Sequence, residues 1–157
     1  MPWFEKPIPA LVKAWDALPA SDPFKEKLAE QIKLLRAWNF RWSVNSVETS
    51  LAIFWGEAMG RATAADARRA GIAIEEYIAT KSSPKQLLET LATVSDKLAA
   101  DFGKWQTPWG EINRFQRLTN DIVHPFDVTK PSIPVGFTSG NFGSLASFGA
   151  RSYKGSK

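Results

Sequence analysis

Over the first hundred residues, hydrophobic positions recur at intervals of three and four, the spacing of amphipathic helices. Leu11, Val12, Trp15 and Leu18 predict a short helix over Ile8 to Leu18, stopped by Pro19. Asp22 then stands before Pro23, a capping carboxylate ahead of a residue suited to the first helical turn. Phe24, Leu28, Ile32, Leu35 and Trp38 form one apolar stripe, which breaks near Asn39 to Ser43. Asn45 followed by Glu48 has the spacing of a capping box. The helix it opens carries Val47, Leu51, Phe54, Ala58 and Met59, and Ile53 and Trp55 widen its apolar face. Gly60 reads as its terminator, and a weaker helix follows over Thr63 to Ala79 with Gly71 inside it. Ser83-Pro84-Lys85-Gln86 is the clearest start signal: a capping hydroxyl, a first-turn proline and an amide three residues on. Leu87, Leu91, Val94, Leu98 and Phe102 make the stripe that follows, and Gly103 ends it.

The pattern changes after Gly103. Pro108, Pro125, Pro131 and Pro134 exclude a long helix, and glycines from Gly136 onward punctuate short β-prone pieces. Strands are predicted over Glu111 to Leu118 and Ile133 to Phe137, with a third over Ser144 to Phe148. The fold class expected is α+β, helical over 1–103 and β-rich over 104–157. One unit is expected and not two, because so few strand residues cannot cover both faces of their own sheet.

The chain has 157 residues, 44% apolar and 23% charged, in keeping with a single globular domain. The formal charge of +4 is dispersed apart from Arg68-Arg69 and the tail Arg151, Lys154 and Lys157, so it reads as a solvated surface. No nucleic-acid partner is expected: Arg114 and Arg117 beside Phe115 are too few basic and aromatic groups for a strand-binding groove. No apolar run reaches membrane-spanning length. The absence of cysteine excludes disulfides, thiol catalysis and thiolate metal sites.

Candidate chemistry is sparse, and no catalytic, cofactor-binding or metal residue is assigned. Leu145-Ala-Ser147-Phe-Gly149 only partly matches a nucleophile elbow, since leucine replaces the first glycine where the chain must turn sharply. His124, the single histidine, lies between Val123 and Pro125, and no spacing joins it to Asp121 or Asp127 as a triad. One histidine without cysteine cannot build a structural zinc site. Gly136, Gly140 and Gly143 match neither a dinucleotide fingerprint nor a P-loop, and read as bends between strands. A mature N-terminal proline base at Pro2 is disfavoured by Pro7 and Pro9, which interrupt the strand such a base would need. The seven tryptophans are read first as core. Trp15, Trp38 and Trp55 fall on helical stripes, whereas Trp105 and Trp109, flanking Pro108, would line a binding groove if one exists.

Thr107-Pro-Trp-Gly-Glu-Ile-Asn-Arg-Phe-Gln-Arg-Leu118 and Ile133-Pro-Val-Gly136 through Phe148, preceded by Leu34-Leu-Arg-Ala-Trp38 and Ser46 to Trp55, resemble in that order the later part of the β-chain of the penicillin acylase family. Its members include acyl-homoserine lactone and lipopeptide acylases, and are N-terminal nucleophile hydrolases that cut N-acyl amide bonds. The resemblance implies a fragment of an αββα fold, periplasmic or secreted in its parent, that works without a cofactor. Catalysis in that family uses the hydroxyl and α-amine of a β-chain N-terminal serine. Both that serine and the oxyanion asparagine lie upstream of the matching region, so no such role passes to Asn113, Asn120 or Asn141. The implied function is scaffold within an amidohydrolase, inactive alone, with the remaining α- and β-chain segments as partners. N-acyl amide substrate would be met only in the complete enzyme. The alternative is a helical interaction module using a Trp-rich face. The family region continues with further strands, so truncation at both ends is expected.

Overall fold

In the computed structural model, the structure describes residues 1–115, 129 and 131–134. These residues are mostly helical. A 3-10 turn over Pro2–Glu5 leads into α1 (Pro7–Asp16), followed by α2 (Pro23–Lys27) and α3 (Ala29–Ala37). Next come the long α4 (Val47–Ala70), α5 (Ile74–Lys81) and α6 (Pro84–Phe102). A single turn, α7 (Trp109–Ile112), precedes β1 (Arg114–Phe115), which pairs antiparallel with β2 (Ile133–Pro134).

The predicted caps form where a side chain can satisfy the first free amides of a helix. Asp22 accepts from the Phe24 amide at 2.9 Å, and Ser83 accepts from the Gln86 amide at 3.1 Å. The cap of α4 lies one residue later than expected. Ser46, not Asn45, accepts from the Thr49 amide at 3.0 Å and donates to the Glu48 carboxylate at 3.0 Å.

Gly60 does not end α4. The helix runs through it to Gly71, which adopts the left-handed conformation (φ 68°) and donates to the Ala67 and Arg68 carbonyls. The expected Thr63 to Ala79 helix is therefore the end of α4 followed by a separate α5. An interior glycine costs about 1 kcal/mol against alanine. That is less than the packing supplied on either side of it by Met59, Thr63 and Ala67, all buried. Gly103 behaves as expected, closing α6 at φ 88°.

The core lies where α1, α3, α4 and α6 meet. Ile8, Leu11, Ile32, Leu35, Leu51, Trp55, Leu91 and Leu98 are all buried there. Each large aliphatic chain so buried contributes roughly 1.5–3 kcal/mol against exposure. Two polar ties cross this core. Trp55 Nε1 donates to the Leu87 carbonyl at 3.1 Å, and Gln31 Nε2 donates to Ser95 Oγ at 2.9 Å. The amino-terminal turn is pinned to α4 at Gly56, where an added Cβ would lie 2.7 Å from the Phe4 ring.

The carboxy-terminal expectation is corrected in part. Glu111 and Ile112 belong to α7, so the strand predicted from Glu111 begins at Arg114. The described residues hold two strands of two residues each, and a β-rich part is not seen among them. The rest of the predicted Glu111 to Leu118 and Ile133 to Phe137 strands, and all of Ser144 to Phe148, lie outside the described residues.

Candidate functional site

The segment from Trp105 to Arg114 ties α7 and the β1–β2 pair to the chain ahead of α4. Thr107 is buried; its amide donates to the Trp105 carbonyl at 2.8 Å and its Oγ1 to the Lys104 carbonyl at 2.6 Å, tightening the bend after α6. Pro108 has no amide to leave unpaired, and the two amides after it reach across the fold. Trp109 donates to the Ser46 carbonyl at 3.1 Å, and Gly110 donates to the Val44 carbonyl at 2.8 Å. Glycine is required here by space. A Cβ at Gly110 would meet Pro134 Cβ at 2.8 Å, the Val44 oxygen at 2.9 Å and Val44 Cβ at 3.1 Å.

Arg114 closes the junction. Its Nε donates to Ser132 Oγ at 2.7 Å, its Nη2 to the Ser132 carbonyl at 2.8 Å and its Nη1 to the Gly110 carbonyl at 3.2 Å. The planar fork thus joins α7 to the residue that leads into β2.

The tryptophans are core in large part. Trp55 and Trp109 are fully buried and Trp38 nearly so. Trp15 is half-buried, with Lys25 Nζ 4.1 Å above its ring and its Nε1 bonded to the Phe24 carbonyl at 2.9 Å. Trp105 packs against the core edge. Trp105 and Trp109 therefore do not open a groove: Trp109 has no exposed face. Trp42, 48% exposed, is the most open large aromatic among the described residues.

The weighed serine, histidine and aspartate candidates fall beyond the described part of the chain. Ser144, Ser147, His124, Asp121, Asp127, Asn120, Asn141, Arg117, Gly136, Gly140 and Gly143 all lie outside the described residues. Asn113 is buried beside the junction, its amide bonded to the Trp109 carbonyl at 2.9 Å.

Sequence reasoning missed one polar cluster. α4, α6 and α7 enclose a pocket of about 170 Å³. Ile53 and Phe54 from α4, Val94 from α6 and Ile112 from α7 form its apolar lining. Glu57 stands among them, its side chain 27% exposed. Arg61 and Lys97 also line the pocket. Burial raises the Glu57 carboxyl above its ordinary value, opposed by the Arg61 charge. The available signal was a carboxylate at helical spacing from Ile53 and Phe54, on the apolar side of the stripe.

No curated protein and no solved structure matches the chain. The model of one family, described as penicillin amidase, matches residues 3–152. That span takes in the amino-terminal turn docked on Gly56, the whole helical core and the Trp105 to Arg114 junction. By that match the chain belongs to the penicillin amidase family.

Proposed function

We propose that this chain is a scaffold portion of the β-chain of a penicillin amidase-family amidohydrolase, acting on N-acyl amides only when the rest of the enzyme supplies the nucleophile. The family match over residues 3–152 carries this reading. It is supported by the Thr107 to Leu118 segment, whose resemblance is to the later part of that β-chain. The chemistry of the junction agrees with a supporting role. Its amides and the Arg114 fork are committed to holding α7 against Val44, Ser46 and the Ser132 approach to β2.

The test is hydrolysis of chromogenic phenylacetyl, glutaryl and long-chain acyl amides by the purified chain. No turnover above buffer is expected. Turnover abolished by alanine at a serine or threonine of this chain, with Ser147 and Ser144 examined first, would overturn the proposal.

A further inference from the structure

The pocket between α4, α6 and α7 shares Ile112 of α7 with the junction but none of the partners of the Arg114 fork, and has no part in the proposed amide chemistry. We propose that it is a binding site for a small amphipathic ammonium ion, an alkyl- or arylammonium whose charged head sits on Glu57 and whose apolar body lies against Ile53, Phe54, Val94 and Ile112.

The argument starts from the pairing of the charges. Among the described residues Glu57 is the one carboxylate in the lining, and it accepts no hydrogen bond from any of them. Its nearest cation is Arg61 Nη1, 3.9 Å away and beyond hydrogen-bond reach. Arg61 is 74% exposed, so its guanidinium is solvated and holds Glu57 weakly. Lys97 is engaged elsewhere: its Nζ donates to Asp101 at 2.7 Å, one turn along α6. A partly desolvated carboxylate is thus left without a hydrogen-bond partner among the described residues, between the apolar Ile53, Phe54, Val94 and Ile112 and the two outer cations Arg61 and Lys97. The upward displacement of its pKa by burial agrees with that geometry.

Ligand size follows from the volume. A cavity of about 150 Å³ lined by apolar side chains accommodates benzene. The pocket measures about 170 Å³, room for a body of similar size. An ammonium head would give Glu57 the charge-assisted hydrogen bond it lacks. A carboxylate ligand would meet Glu57 as a like charge, and a neutral one would leave it unpaired.

The experiment is titration of the full chain with hexylammonium, hexanol and hexanoate at low salt, followed by calorimetry and by the methyl resonances of Ile53, Val94 and Ile112. Hexylammonium is expected to shift those methyls and to bind at least about tenfold more tightly than hexanoate. Glu57→Gln should abolish that preference, and Arg61→Gln, at an exposed position, should strengthen hexylammonium binding by removing the internal competitor. Acidification that protonates Glu57 should weaken binding. Facing groups are Arg61 on the same helix and Lys97 from α6, with Asp101 behind Lys97; α7 contributes Ile112 alone to the lining. Should Glu57→Gln fail to fold, the Arg61→Gln variant and the pH series on the unaltered chain decide the matter. Hexanoate binding as tightly as hexylammonium, affinity unchanged on acidification or in Glu57→Gln, or still methyl resonances would overturn the proposal.

Discussion

Gly110 presses against Val44: its amide donates to the Val44 carbonyl at 2.8 Å, and a Cβ on Gly110 would lie 2.9 Å from that same oxygen. The neighbour that must yield is backbone, and Pro134 closes the opposite side at 2.8 Å. Gly110→Ala is expected to destabilise the fold by about 1–3 kcal/mol, the usual cost of overpacking a tight site. Urea unfolding monitored by tryptophan fluorescence measures this, since Trp109 is the adjacent residue. A loss below a few tenths of a kcal/mol would mean that the junction is looser than described.

A second close approach differs in kind. At Gly56 the obstacle is the edge of the Phe4 ring, 2.7 Å from a built Cβ, with the Trp3 ring at 3.1 Å. A side chain can retreat where backbone cannot. Gly56→Ala should cost about 1–3 kcal/mol alone, and part of that loss should be recovered in the Gly56→Ala, Phe4→Leu double variant. A double-mutant cycle reads the coupling, expected at about 0.5 kcal/mol or more for residues in contact. Strict additivity would show that the amino-terminal turn does not dock as seen.

The buried pair Gln31 and Ser95 gives a third prediction. Both are at most 5% exposed, and the Gln31 amide donates to the Ser95 hydroxyl at 2.9 Å. Ser95→Ala removes the acceptor and strands the amide, for a loss of about 1–3 kcal/mol. Gln31→Leu with Ser95→Ala removes both polar partners and should be milder than the sum of the single changes. Chemical denaturation of the four species checks this.

Glu57 sets a pH dependence. Its carboxyl titrates above the ordinary value when folded, so the folded chain holds that proton more tightly than the unfolded chain. The associated stability is fully present below the ordinary carboxylate pKa and is lost as pH rises through the raised folded one. Glu57→Gln should flatten this slope and be more stable than the parent at neutral pH. Thermal unfolding of both proteins across mildly acidic to neutral pH tests the sign. A variant less stable than its parent at neutral pH would show that the Arg61 attraction outweighs the burial.

Local chemistry was legible in the sequence and distant chemistry was not. Asp22 and Ser83 were read as caps because a cap satisfies amides two or three residues away. Gly60 and Gly71 were exchanged as helix terminators for want of tertiary information. A Cβ at Gly60 would meet nothing within 4 Å, and only the burial of Met59, Thr63 and Ala67 carries the helix past it. The strand predicted from Glu111 fails at its first three residues, because the amides of Trp109 and Gly110 bond to Ser46 and Val44 and set the turn that follows. The family resemblance was legible from Trp109-Gly-Glu-Ile-Asn-Arg114, and the match over residues 3–152 agrees with it. Glu57 was overlooked because its setting depends on Val94 and Ile112, distant in sequence.

The bond from Trp109 to Ser46 joins residues more than sixty positions apart, whereas the caps and turns of α4 through α6 are local. Closing a loop of that length carries an entropic cost before any contact rewards it. The helices around Trp55 and Leu91 can assemble first, and the α7 junction has its docking surface only once they have done so. Substitutions at Gly110 or Arg114 should then speed unfolding and leave the folding rate nearly unchanged, while substitutions at Leu51 or Leu91 slow folding itself.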